Sequence, residues 1–232
     1  VIMKHIQAIL WKQFKDTLKN KSILIQFLLF PVITIIMENS IKIEGMPEHF
    51  FAIMFGVMFI GMAPLTSMAA IIAEEKEKNT LRVLRMSNVK PAEYLLGVGI
   101  YVWGMCMIGA LIIALSSKFT GSGLFYFMLI TTMGILVSLL IGAFIGVISK
   151  SQMMATSITV PVMMIFAFIP MLSMFNSTIK KIGKITYTQQ INTLLSGVED
   201  MQFQLEPILV IGITALITIV LFAVAYKKGG LE

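Results

Sequence analysis

The chain has 232 residues, 57% of them hydrophobic and only 13% charged, with a formal net charge of +6. A soluble domain carries roughly 45–50% apolar and about 25% charged residues, so this composition cannot cover a water-facing surface, and lipid must cover part of it. The sole cysteine, Cys106, excludes a disulfide or a cysteine-ligated metal cluster within the chain and reads as a small buried hydrophobe.

Residues 1–21 come first. Ile2, Ile6, Ile9, Leu10, Phe14 and Leu18 recur at helical spacing, while Lys4, Lys12, Lys15 and Lys19 fall largely elsewhere around the helix. This pattern predicts a basic amphipathic helix in a membrane interface, with Trp11 at headgroup depth. Six apolar stretches follow, at about 22–37, 50–73, 94–115, 124–148, 153–175 and 207–226. Each is suited to a transmembrane helix, and the first, being short, is expected to begin inside the basic segment. The fold class is therefore an all-α integral membrane protein forming one transmembrane domain over 1–232. Pro31, Pro161 and Pro170 fall inside spans and free backbone carbonyls there. Gly142 and Gly146 form a small-xxx-small pair in the fourth span, and Gly97, Gly104 and Gly109 lie along the third. In 176–206, Ile179, Ile182, Ile185, Ile191, Leu194 and Leu195 fit either short amphipathic or re-entrant helices, broken near Gly183 and Gly197, or a plain surface loop.

The basic residues set the orientation. With the N-terminus in the cytoplasm, thirteen of the eighteen Lys and Arg fall inside and five outside, three of these in 176–206. Both ends are then cytoplasmic and 176–206 is extracellular. No ionisable residue lies well inside any span; Glu38, His49, Glu74 and Glu93 sit at ends. A proton-coupled carrier or voltage sensor would place such groups in the bilayer. His5 and His49 fall on opposite sides and cannot form one site. The chain has no phosphate-binding glycine loop, so any ATP is bound by a partner. Sodium coupling through Thr66, Ser67, Thr156, Ser157 and Thr159 stays open, although such hydroxyls more often bond to their own helix.

The only dense charge cluster is the loop Glu74-Glu75-Lys76-Glu77-Lys78-Asn79-Thr80-Leu81-Arg82-Val83-Leu84-Arg85, followed by Pro91 and Glu93. Leu81 and Leu84 share a face of a short helix, with Arg82 and Arg85 beside them. Such a segment suits either a docking helix or a solvated connector. Its sequence resembles the signature loop of ABC transporter permeases of the type-2 exporter class, approximately E-x-E-x-G-T-L-x-x-L, then a span containing L-x-G-K. Glu75, Glu77, Thr80, Leu81 and Leu84 are in register, and Leu96-Gly97 follows. Asn79 stands where Gly is usual, though both tolerate a left-handed backbone, and Val98 stands where Lys is frequent.

The resemblance spans nearly the whole chain and implies specific parts. Residues 75–86 would be a coupling helix in an ATPase groove, with Leu81 and Leu84 as its apolar anchor. Glu75, Glu77, Thr80, Arg82 and Arg85 would supply polar contacts. Two ABC ATPase subunits would carry ATP and Mg, leaving this chain without catalytic residues, metal or cofactor. A second permease, identical or not, would complete the pathway in a bacterial plasma membrane; no nucleic acid is implied. Pathway walls from the second and fifth spans would include Phe55, Phe59, Phe166, Phe168, Met171 and Phe175. A largely apolar, Met- and Phe-rich wall suits export of an amphipathic or hydrophobic cargo, such as an antimicrobial or toxin peptide or a drug. The competing readings are a passive channel or secondary carrier working alone, or an anchoring subunit with no pathway.

Overall fold

The computed structural model describes residues 2–41, 45, 47–81, 86, 89–198 and 205–229. The main helices among them are α1 (Ile2–Lys19), α2 (Lys21–Ser40), α3 (Phe50–Glu77), α4 (Pro91–Ser116), α5 (Gly121–Ile148), α6 (Gln152–Ser173), α7 (Ser177–Gly183), α8 (Tyr187–Ser196) and α9 (Leu205–Gly229). All regular structure among the described residues is helical. Six helices, α2 to α6 and α9, are long and apolar enough to cross a membrane. Helices suit that setting because they satisfy their own backbone groups.

Two boundaries position the site. The first span begins at Lys21, the last residue of the basic segment. Asn20 separates α1 from α2, and its side chain accepts from Ile23 N at 3.4 Å, at the N-terminal end of α2. The second span runs on to Glu77, because no Gly or Pro falls between Ala73 and Asn79. Glu75 and Glu77 therefore belong to the last turn of a long helix. The break falls at Asn79, whose φ of +56° is the left-handed conformation that this residue tolerates. Thr80, Leu81 and Met86 are helical again, while Arg82, Val83, Leu84 and Arg85 lie outside the described residues.

The bundle is built around α3. Of its crossing window 83% is buried, against 11% for α9, which packs on α5 and α8 at the periphery. Small residues bring the central helices together. A Cβ on Gly142 would lie 2.4 Å from the Leu65 carbonyl oxygen, and one on Gly146 would lie 2.8 Å from Ile72 Cβ. The small-xxx-small pair is thus the α5 surface that receives α3. Gly97 of α4 receives Ile9 of α1 in the same way, and Gly109 receives the Phe59 ring.

Pro64 lies inside α3 and cannot donate to the Ile60 carbonyl one turn earlier. The Ser138 hydroxyl of α5 takes that place at 2.6 Å, and Tyr187 of α8 lies 2.7 Å from Ser138 Oγ. Of the two readings left open for 176–206, its described residues hold short helices, α7 and α8, separated at residues 184–186. In α8, Tyr187, Ile191, Leu194 and Leu195 are buried against α3, α5, α6 and α9, whereas Ile182 of α7 and Ile185 just after it are exposed. At the end of the bundle away from the charged loop, Glu38 accepts from Ala52 N at 3.1 Å and Ser117 Oγ at 2.8 Å, closing the start of α3.

Candidate functional site

The charge cluster at the end of α3 is a junction. Glu75 is buried, and its carboxylate accepts from Lys12 Nζ and, at 3.1 Å, from Gln13 Nε2, both on α1. Its second oxygen accepts from the Thr80 hydroxyl, so it also folds back the chain after the Asn79 break. Lys76 donates to the Val147 carbonyl at 2.6 Å, in the last turn of α5. Glu77 accepts from Gln152 N at 2.8 Å, at the start of α6. The signs suit the helix ends they meet: a cation at a carboxyl end and an anion at an amino end. Lys78 pairs with Glu74 on the surface, and that carboxylate raises its ammonium above the ordinary lysine value.

The other end of the loop meets the same helix. Pro91 opens α4, and Glu93 accepts from Lys90 N at 3.3 Å in a capping arrangement. Glu93 Oε2 also lies 2.7 Å from His5 Nδ1 of α1. His5 and Lys12 are seven residues apart, two turns along one face. The segment 78–90 is therefore held at both ends on α1, by Lys12 and Gln13 before it and by His5 after it. Between α1 and the end of α3 lies a polar cleft of about 590 Å³, with Lys12, Asp16, Lys19, Lys21, Glu74 and Lys78 on its walls.

The sequence fits the family model described as "ABC-2 family transporter protein" over residues 3–227. The chain belongs to the ABC-2 transporter family. It is a multi-pass membrane permease, a transport component and not itself a catalyst, and membership implies association with ATP-binding subunits. No curated protein matches the chain.

The loop residues singled out by the sequence resemblance divide by position. Glu75, Glu77 and Thr80 converge on the junction, and Leu81 is buried in the hydrophobic core. In this structure Glu75 and Leu81 thus face the interior. Leu84, Arg82 and Arg85 lie outside the described residues. The sequence reading did not reach His5, Gln13 or Lys76. The one signal for His5 was its register with Lys12; Gln13 had none beyond its place on the buried face with Ile9 and Thr17.

The aromatic residues expected in a pathway do not share one surface. Phe59 is fully buried, packed 6.4 Å from the Phe30 ring, and Phe166 packs 4.9 Å from Tyr187. Phe55, Phe168 and Met171 are half-buried, and Phe175 is exposed beyond the end of α6. The exposed stripe of α6 instead carries Met153, Ser157, Val160 and Met164. A groove of about 750 Å³ runs along it from Glu77 to Pro161. A smaller cavity of about 140 Å³ between α2, α3 and α6 contains Gln26, Thr66, Thr156 and Thr159. Thr66, Thr156 and Thr159 bond to carbonyls of their own helices at 2.8, 2.9 and 2.8 Å. Thr66 and Ser67 also reach Gln26 Oε1 at 2.9 and 3.1 Å.

Proposed function

We propose that the chain is the transmembrane half of an ATP-driven exporter, moving an amphipathic or hydrophobic cargo such as an antimicrobial or toxin peptide or a drug. It acts in a bacterial plasma membrane with both termini in the cytoplasm. Two copies, or this chain and a relative, frame the pathway. Two separate ATPase subunits dock beneath and hydrolyse the ATP. Segment 176–206 enters the bundle from the extracellular side as a re-entrant element.

The observation that carries the reading is the attachment of segment 78–90 at both ends to α1. A partner that seats on this segment and moves it must move α1, and through Lys76 and Glu77 the ends of α5 and α6 as well. The docking surface is then Arg82, Leu84 and Arg85. Glu75 and Glu93 act as positioning residues, transmitting displacement rather than touching the ATPase. An apolar, Met-bearing stripe on α6 suits cargo that is itself largely apolar.

The test is co-purification in detergent with the ATPase encoded nearest this chain. Wild type and Glu75→Gln should capture it equally, and Leu84→Asp should lose at least tenfold of the capture. Reconstituted Glu75→Gln complex should then fail to raise ATP hydrolysis as the wild type does. Equal capture by Leu84→Asp would remove the docking assignment. Wild-type ATPase stimulation by Glu75→Gln would remove the transmission role. Transport by the chain alone in liposomes without ATP would replace the proposal with a carrier or channel.

A further inference from the structure

Helix α1 has two apolar sides, and the protein covers only one. Ile9, Gln13 and Thr17 are buried against the bundle. Trp11 and Leu18 remain 60% and 58% exposed, with Phe14 exposed beside them. A water-facing side of that kind would be costly, because it leaves a contiguous apolar surface against water. Between this exposed side and α4 runs a groove of about 820 Å³, lined chiefly by Leu10, Trp11, Phe14, Ile100, Met105 and Ile108. Its floor is open at Gly104, where an added Cβ would meet nothing within 4 Å.

The charge carried by the groove's lining is positive. Lys4 lies on its wall with Gln7, and the wall carries no carboxylate. The Lys15 ammonium sits 5.0 Å above the Trp11 ring. Lys4, Ala8, Trp11 and Lys15 fall on one stripe of α1, so two cations flank one aromatic side chain about 16 Å apart end to end. Lys12, on another side, is engaged by Glu75 and Asp16 and is not available to this groove.

We infer that this groove is a binding site for an anionic phospholipid from the leaflet on the side of loop 78–90. An acyl chain lies along Trp11, Met105 and Ile108, and the phosphate is held by Lys4 on the groove wall, with Lys15 adding to the positive field at the far end. The amphiphile is committed by the pairing of an apolar trough with an unopposed cationic rim. An uncharged lipid would satisfy the trough alone, and a soluble anion the rim alone. The site needs no ATPase and stands apart from the proposed transport reading.

Trp11 supplies its own probe. With Trp103→Phe, the full chain retains a single tryptophan. The protein is reconstituted into phosphatidylcholine vesicles containing equal small fractions of either brominated phosphatidylglycerol or brominated phosphatidylcholine. Trp11 emission should show an apparent preference for the phosphatidylglycerol of about fivefold, the share expected of one surface lysine, and high salt should reduce it. Lys4→Gln/Lys15→Gln should abolish the preference, while Lys180→Gln/Lys181→Gln should keep it. Gly104→Leu places a side chain on the floor, where an added Cβ meets nothing within 4 Å, and should reduce quenching by either lipid. Equal quenching by both lipids in the parent protein overturns the inference. So does a preference that survives Gly104→Leu, which would mean general attraction to a basic helix rather than a groove. No quenching by either lipid also overturns it, because a second copy or another protein surface would then cover Trp11.

Discussion

Two glycines that look alike in the sequence do opposite jobs, and the difference is measurable. Gly142 lies where α5 touches the α3 backbone, and a Cβ there would meet the Leu65 oxygen at 2.4 Å. Gly104 opens onto empty space. Gly142→Ala should therefore destabilise the protein by about 1–3 kcal/mol, the usual range for forcing atoms into a filled contact. Gly104→Ala should be neutral or stabilising by about 0.5–1 kcal/mol, through reduced freedom of the unfolded chain and better helix propensity. Cys106 is fully buried, so its reaction with a thiol dye on heating in detergent reports unfolding directly. A Gly142→Ala protein that unfolds at the wild-type temperature would show that α3 and α5 do not approach so closely. Spacing made both glycines visible, but only the packed helices show which of them has a neighbour. The same holds for Glu75 and Leu81. The motif put them on a loop that meets a partner, yet α3 continues through Glu77, and the Asn79 turn folds Thr80 back on Glu75. Helix periodicity registers hydrophobic faces, not where a helix of mixed charge stops.

At the scale of whole helices, α3 is held in shape by a proline and its substitute donor. Pro64 leaves the Ile60 carbonyl without an intrahelical bond, Ser138 supplies one at 2.6 Å, and Tyr187 completes the chain. Ser138→Ala removes the donor and also leaves the Tyr187 hydroxyl buried without its partner, a loss of about 1–3 kcal/mol. In a Pro64→Ala background residue 64 regains its N–H and can bond Ile60 itself. The cost of Ser138→Ala should then fall clearly below its value in the parent. A double-mutant cycle on thermal unfolding measures the difference. Equal costs in both backgrounds would mean that Ser138 serves Tyr187 and not the proline break. The chain order of the spans, the cap at Pro91 and Glu93, and the breaks around α7 and α8 were all legible from apolar length, Pro and Gly. The Ser138 contact was not, because it joins residues 78 positions apart through a carbonyl that no sequence pattern marks.

The two least buried spans are α9 and α6, and their surfaces differ in kind. The exposed side of α9 carries Leu209, Leu216, Val220 and Val224, which lipid tails satisfy fully. The exposed side of α6 carries Met153, Thr156, Ser157 and Val160 along a groove of about 750 Å³. Small hydroxyl residues on a membrane helix favour close approach of another helix over contact with lipid. If two permeases frame the pathway, α6 is the side on which they meet, and α9 faces the bilayer. Native Cys106 is buried, and replacing it with Ala gives a background with no thiol. In membranes, Ser157→Cys in that background should form an intermolecular cross-link with a short bifunctional thiol reagent, and Leu216→Cys should not. The comparison separates this arrangement from collision, which would label both positions according to exposure alone; Leu216 is among the more exposed side chains of α9. Cross-linking at Leu216 and none at Ser157 would place the contact on α9 and make α6 a lipid-facing helix. The Met-rich stripe would then lose its claim to the cargo path.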